Sequence, residues 1–290
     1  VKALIFGVSG QDGFYLRSLL AAKNIEVIGV SRSEGNWIKG NVADRETVDH
    51  LLKEHQPHYV FHLAANSTPR HEVLFENHET ISTGTFNILE AAYKFSSHTK
   101  VFLAGSGLQF VNEGKPISEN DPFEARDPYS VSRIQSVYAG RYYRSLGLKV
   151  YAGYFFNHDS PLRSERHINK RIALAVNRIA RGSKEVIEVG DINVKKEFSF
   201  AGDVAEAVWT LVNQENYFEA VIGSGKAYSI KNWIETCFQL KGMNWEPYVT
   251  EKNDFVSQYE ILVSDPRLIN SLGWNIKIGI QQLASMMIGI

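Results

Sequence analysis

The 290-residue sequence is poor in the features that mark several large protein classes. It has one cysteine, Cys237, which excludes an internal disulfide framework and a thiolate zinc cluster. Cys237 lies on an apolar stretch and is expected to fill core space, not to act as a nucleophile. Basic and acidic side chains nearly cancel, for a formal net charge of −1. That balance leaves no electrostatic footprint for nucleic acid. No apolar stretch reaches the ~20 residues that a membrane span needs. The opening run VKALIFGVSG reads as a strand and a turn, without a charged leader and long apolar core. The expectation is a soluble cytoplasmic protein with neither a membrane nor a nucleic-acid partner. The histidines show no metal spacing: HEVLFENH pairs His71 with His78 and offers no third ligand, so no metal is expected.

What the first half does contain is alternation. KALIFGV, EVIGVSR, HYVFHLAA, KVFLAGS and KVYAGYFF are short apolar runs that read as strands. Between them lie amphipathic runs: GFYLRSLLAAKN with Leu16, Leu19 and Leu20 on one face, DRETVDHLLKEHQ, HETISTGTFNILEAAYKF and YSVSRIQSVYAGRYYRSLG. Strands alternating with helices imply an α/β fold, a doubly wound parallel Rossmann sheet. Near-continuous apolar strands fit a sheet covered on both faces. After Phe156 the pattern turns polar and looped, with helices at KRIALAVNRIARG and SIKNWIETCFQLKG. A smaller, interleaved C-terminal substrate lobe is expected. The boundaries predicted are 1–156 plus about 197–224 for the dinucleotide-binding part, and 157–196 with 225–290 for the second lobe.

The stretch GVSGQDG follows the first strand and opens the first helix. Gly7, Gly10 and Gly13 allow a tight turn, close backbone approach to a pyrophosphate and close helix–strand packing. Ser9, Gln11 and Asp12 belong to the same loop. The helix N-terminus offers free N–H groups to phosphates. At the end of the second strand, where an NAD site places a carboxylate, the chain has Ser31, Arg32 and Ser33. An Arg can pair with a 2′-phosphate, so NADP(H) is favoured, with NAD(H) as the alternative. Asn41 and Val42 in GNVAD are placed to close an adenine pocket. Leu63, Ala64 and Ala65 end the third strand at the sheet edge where such ligands bind.

These pieces together resemble the extended short-chain dehydrogenase/reductases, the nucleotide-sugar epimerase/dehydratase family. Within it the chain is most similar to the GDP-mannose 4,6-dehydratases and GDP-4-keto-6-deoxymannose reductases. The resemblance rests on GVSGQDGFYL, HLAANS, GTFNILEAA, DPYSVSR, FFNHDSP with RHINKRI, and ILVSDPRLINSLGW. It implies redox chemistry at a sugar carbon. Tyr129 would exchange the hydroxyl proton, and Ser106 would hydrogen-bond the reacting oxygen. A free tyrosine has a pKa of ~10 and needs a nearby cation to ionise near neutrality. The family's lysine does this and anchors the nicotinamide ribose; Arg133 stands in its place, and Tyr129, Arg133 and Phe156 are expected to contact the cofactor. The resemblance also implies substrate contacts at Ser67, Asn157, His158, Arg163, Lys170 and Lys196, with Arg171 as a further cation.

The chain departs from the family in four places. Guanidinium at Arg133 keeps the charge but is planar and bulkier than a lysine ammonium. Leu108 replaces the glutamate that, in the dehydratases, takes the C5 proton and helps expel water from C6. A general acid–base group typically contributes about 10²–10⁴-fold, so 4,6-elimination should be crippled. Lys196 replaces an arginine beside KEFSF, and residues 255–258 replace the Arg-Pro-x-Glu that clasps the nucleotide. The favoured reading is NADP-dependent modification of a nucleotide-linked hexose at C4, by 4-keto reduction or epimerisation. The alternatives are a GDP-mannose 4,6-dehydratase, a lyase, and a catalytically impaired NADP-binding protein. The substrate expected is a nucleotide sugar, GDP-linked by resemblance. A homodimer or homotetramer is expected, with YAGRYYRS compatible with a subunit contact. His167 reads as polar surface or substrate contour. Tyr138 and Arg141 read as packing or dimer surface.

Overall fold

The computed structural model describes residues 1–252 and 254–290. In the first half, β1 (Lys2–Phe6), α1 (Gln11–Ala22), β2 (Glu26–Ser31), β3 (Ile38–Lys39), α2 (Arg45–His55) and β4 (Tyr59–His62) follow in order. Then come α3 (Leu74–Asn77), α4 (Gly84–Phe95), β5 (Lys100–Ser106), α5 (Pro128–Ser145) and β6 (Lys149–Phe155). The second half runs β7 (His158–Asp159), α6 (Ile168–Ile179), β8 (Ile187–Val189), β9 (Lys195–Glu197), β10 (Ser199–Phe200) and α7 (Ala201–Val212). It ends with β11 (Glu219–Ile222), β12 (Ala227–Ser229), α8 (Ile230–Gln239), β13 (Val249–Glu251), β14 (Ile261–Leu262), α9 (Arg267–Ser271) and α10 (Ile280–Ile288).

The main sheet has seven parallel strands in the order β11-β6-β5-β4-β1-β2-β3. The order reverses between β1 and β4, and ligands of open α/β sheets bind at such a switch point, beyond the strands' carboxyl ends. Both faces are covered, as the apolar strands require. Leu16 and Leu20 of α1 pack with α7 residues such as Val204, Val208 and Leu211 on one face, with Leu19 partly buried beside them. On the other face Val48 and Leu52 of α2, Ile88 and Leu89 of α4, and Ala139 and Tyr143 of α5 pack on Leu4, Val60, Val101 and Val150.

The smaller lobe has its own core of Ile172, Val176, Phe198, Trp233, Phe238, Leu283 and Met287. Cys237 is buried in it, and burial pushes its thiol well above the ordinary range. Short strand pairs, β8 with β13, β7 with β10, and β9 between β12 and β14, complete this lobe. Fully buried Glu197 ties it together: its carboxylate accepts from the Ser264 amide and hydroxyl, both at 2.6 Å, and from the Gly225 amide at 3.2 Å. Among the described residues no helix is long and apolar enough to cross a membrane.

One predicted element differs. HETISTGTFNILEAAYKF reads as a single helix, but His78–Thr83 forms a π-helical turn before α4 begins. The wider turn lets the Ser82 hydroxyl reach Gln135 of α5 at 2.8 Å, while the Ile81 carbonyl lies 3.4 Å from His62 Nε2. Such single-turn bulges recur beside functional sites, and this one puts Thr80 at the rim of a cavity described next.

Candidate active site

Two cavities open at the carboxyl end of the sheet, on either side of Leu63. The first, of about 270 Å³, is lined by Gly7, Ser9, Gly10, Arg32, Asn41, Val42, Leu63, Ala64 and Ala65 from the expected cofactor set. Phe6, Val30, Ser31, Ser33, Gly40 and Thr80 complete it. Two glycines shape it. Gly7 has φ +89°, and a Cβ there would lie 2.7 Å from the Ala64 amide nitrogen. A Cβ on Gly13 would lie 2.3 Å from the Gly7 carbonyl oxygen. Gly13 thus sits behind the loop as a packing residue. Gln11 is also outside the lining; its side-chain oxygen accepts from the Ser160 hydroxyl at 2.8 Å. Gly10 caps α1 beside the cavity without any side-chain acceptor, so the first helical amides have no side-chain partner.

The second cavity, of about 120 Å³, gathers Ser106, Tyr129 and Arg133 with Leu63, Phe156, Asp12, Ser67, Asn157, His158 and Arg163. Local structure positions the first three. Ser106 ends β5, where its hydroxyl accepts from the Leu108 amide at 3.2 Å and its amide donates to Gln109 Oε1 at 2.9 Å. Asp127 caps α5 by accepting from the Ser130 amide at 2.8 Å, and Pro128 starts the helix. That cap sets Tyr129 at the mouth of the helix, 8% exposed. Arg133, one turn on, is 3% exposed and donates through Nη1 to the Ala104 carbonyl. Its guanidinium carbon lies 5.0 Å from the Tyr129 ring centroid.

Leu108 stands in the same cavity with Tyr259 and Leu262, and these three also line a side chamber of about 160 Å³. Asn112, Arg126, Asp127 and Gln258 line the side chamber as well, and Asp127 is engaged there as the cap of α5. Burial pushes the Tyr259 hydroxyl up to about 12, so it is no proton acceptor at neutral pH. The Asn157 carboxamide oxygen is buried without a partner, a polar group left for a ligand.

Charge concentrates where the lobes meet. His158 Nε2 lies 2.8 Å from Asp12 Oδ1, joining the glycine loop to the second lobe. Burial presses Asp12 up, but His158 and Arg163 outweigh it and hold the carboxyl at about 2. Burial presses His158 down, and the Asp12 carboxylate outweighs that and raises it. Arg163 lies 3.4 Å from Asp159 and 3.2 Å from His167 Nδ1. Burial and the Arg163 cation lower His167 to about 4. Lys196 is lowered by burial and Arg163 together, and its ammonium sits 5.5 Å from the Phe198 ring centroid. Lys170 donates to the Pro161 carbonyl at 2.9 Å and Arg171 to the Glu188 carbonyl at 2.9 Å. Lys170 and Lys196, expected as substrate contacts, are not among the residues lining the second cavity.

Arg141, read as packing or subunit surface, packs: it makes a two-pronged pair with Glu219 at 2.9 and 2.7 Å. Tyr138 is 56% exposed and lines an apolar groove on α4 and α5 with Phe86 and Tyr142. Among the described residues no cluster of His, Cys, Asp and Glu is built to hold a metal ion.

A family model described as GDP-mannose 4,6 dehydratase matches residues 4–287. The chain belongs to the GDP-mannose 4,6-dehydratase family. It is one of the NAD(P)-dependent nucleotide-sugar epimerase/dehydratase enzymes. GDP-mannose 4,6 dehydratase 2 of Arabidopsis thaliana is 30% identical over 99% of this chain and 85% of its own length. GDP-mannose 4,6-dehydratase of Vibrio cholerae is 28% identical over 99% of this chain and 92% of its own. Solved structures share the fold. RMD from Pseudomonas aeruginosa, complexed with NADPH, superposes with TM-score 0.87 at 21% identity, covering 99% of this chain and 97% of that one. UDP-glucose 4-epimerase of Thermus thermophilus, complexed with NAD, gives TM-score 0.84 at 22% identity, covering 100% of this chain and 99% of that one.

Proposed function

We propose that this family member acts at C4 of a nucleotide-linked hexose, reducing a 4-keto group or epimerising through one, with NADP(H) or NAD(H). The observation that carries the reading is the second cavity: Ser106, Tyr129 and Arg133 line it, with Leu108 where dehydration needs a proton acceptor. The residues fit a dinucleotide, because the uncapped amides of α1 and the glycine-lined first cavity can take a pyrophosphate and an adenosine. When bound, the reduced nicotinamide supplies a hydride to the C4 carbon. Tyr129 gives its hydroxyl proton to the C4 oxygen, and Ser106 donates a hydrogen bond to the same oxygen. Arg133, fixed by the Ala104 carbonyl, places a cation against the tyrosine ring. Asn157, His158, Arg163 and Lys196 form the cationic and polar flank for the diphosphate, with Ser67 and Lys170 beside it. Residues 157–196 and 225–290 would then serve as the nucleotide-sugar lobe. The exposed aromatic face of α4 and α5 supports a homodimer.

Two alternative chemistries are weaker. Titratable groups lining the second cavity are Asp12, Tyr129, Arg133, His158, Arg163 and Tyr259. None is a free carboxylate beside Leu108, and Asp127, which lines the side chamber with Leu108, is taken up in capping α5; this argues against 4,6-elimination. A non-catalytic role is tested by turnover. The purified protein is assayed with NADPH and NADH against GDP-, UDP-, dTDP- and CDP-hexoses and their 4-keto-6-deoxy forms, following cofactor absorbance and product identity, with Tyr129→Phe as control. Cofactor oxidation with a 4-keto sugar, or inversion at C4 without net oxidation, lost in the variant supports the reading. Cofactor binding without turnover on any sugar overturns it.

A further inference from the structure

Arg32 is the one charged residue among those lining the first cavity. Around it lies a chain of hydroxyls: Ser9 Oγ is 2.7 Å from Ser31 Oγ, which is 3.1 Å from Ser33 Oγ. Hydroxyls serve ribose hydroxyls and phosphate oxygens alike. Discrimination between a 2′-hydroxyl and a 2′-phosphate therefore falls to Arg32, and Arg32 is already engaged. Its Nη2 pairs with Glu76 Oε1 at 2.8 Å.

The two partners are not equally free. Glu76 lies on α3, and its second oxygen accepts from Asn66 Nδ2 at 3.1 Å. Asn66 directly follows the cavity-lining Leu63–Ala65. The next residue, Asn77, is buried and donates to the Thr68 carbonyl at 3.1 Å, closing the loop on itself. Arg32 is a long side chain at a strand end, 56% exposed, while Glu76 is 38% exposed. The carboxylate is thus the fixed member and the guanidinium the mobile one.

We propose that Glu76 is a specificity-determining residue for the cofactor: by holding Arg32 it handicaps the 2′-phosphate and leaves the site open to NADH as well as NADPH. The proposal rests on the reading that the first cavity takes the cofactor's adenosine. A 2′-phosphate must draw Arg32 away from a fixed carboxylate, or share it and sit beside a like charge. A 2′-hydroxyl meets neither handicap. An exposed pair of this kind corresponds to up to about 5-fold in relative affinity.

The test is calorimetric titration of the full chain with adenosine 2′,5′-bisphosphate and with AMP, in wild type, Glu76→Gln, Arg32→Met and the double variant. Glu76→Gln keeps the Asn66 contact and removes only the charge. It should tighten the bisphosphate by up to about 5-fold at low salt, leave AMP unchanged, and lose the effect at high salt. Arg32→Met should abolish the preference between the probes, and Glu76→Gln should add nothing to it. The NADPH-to-NADH affinity ratio should move with the bisphosphate; Glu76→Ala is a second variant with the same expected direction. If AMP binds but the ratio of the probes does not move, or both affinities change together, the Glu76 proposal is overturned alone. If AMP binds neither wild type nor variants, the cofactor reading falls and this proposal with it.

Discussion

The Arg133 guanidinium stacks 5.0 Å from the centre of the Tyr129 ring and is buried with its Nε unpartnered. No carboxylate lies within ion-pair distance of it among the described residues. A buried cation without a counter-charge is costly to hold. The protein keeps a destabilising charge at the place where the proposed proton donor sits, a pattern expected of an active site.

Arg133→Met should therefore separate stability from activity. Turnover of the 4-keto substrate should fall by at least about 10²-fold, while the Tm stays level or rises. The neighbouring His62 reports the same charge independently. Burial, with the Arg133 cation adding to it, holds His62 at about 4. In the variant its imidazole should titrate higher by NMR. A Tm several degrees lower, with His62 unmoved, would mean that Arg133 is chiefly a structural hydrogen-bond donor.

Parts of this site were legible because their signals are local. Gly7, Gly10 and Gly13 announce the loop by spacing, and Tyr129 with Arg133 lie one turn apart on one helix. The strands of the main sheet were legible because both their faces are apolar. Ile38–Lys39 and the two-residue strands of the smaller lobe exist only through pairing with distant chain, so no local pattern marks them. The same holds for Glu76, Thr80 and Tyr259. Each reaches the cavities from a segment whose placement depends on tertiary packing, and in Thr80's case on a π-helical turn that helix periodicity does not encode. Arg32 was legible as a cation but not as a paired one.

A second prediction concerns the sheet edge. Glu219 on β11 takes Arg141 at 2.7 Å, Arg144 at 3.0 Å and the Tyr154 hydroxyl at 2.5 Å. Burial pushes this carboxyl up, but the two arginines and the tyrosine outweigh it and hold it at about 2. Glu219→Gln leaves two guanidinium groups against a neutral amide and should cost about 2 kcal/mol in urea unfolding, with the m-value unchanged. Cofactor affinity should not move, because the network lies away from both cavities. A loss under about 0.5 kcal/mol would show that water already screens these pairs.

Acid should destabilise the protein in two stages. Folded, His62 and His167 are held at about 4, against 6.5 when free. The unfolded chain thus binds more protons between those values, and stability falls as pH drops through that window. For fully buried His62 alone the loss approaches about 3 kcal/mol by pH 4. Asp12 and Glu219, both held at about 2, extend the decline below their free values of 3.8 and 4.5. Tm measured from pH 7 to 3 should fall from pH 6.5 downward, and His62→Gln should flatten the upper stage. A level Tm between pH 6.5 and 4 would contradict a buried, neutral His62.

The last prediction asks what one side chain at the C5–C6 wall decides. Leu108, Tyr259 and Leu262 present carbon to the cavity, and the lone titratable member, Tyr259, is held at about 12 by burial. Wild-type protein should therefore release no water from GDP-mannose, as the one carboxylate among the described residues lining the side chamber, Asp127, is engaged in capping α5. Leu108→Glu puts a carboxyl among those apolar neighbours, where desolvation raises its pKa toward the range useful for proton transfer at neutral pH. The variant should lose Tm, because a charge or a neutral acid replaces buried leucine. It should also gain a product one water lighter by mass spectrometry, and lose that product again with Tyr129→Phe added. Water loss by the wild-type protein would return it to the dehydratases by chemistry as well as by family. A stable, cofactor-binding Leu108→Glu variant that makes no such product would show that the wall is not where C5 lies, and the orientation of the sugar would have to be reversed.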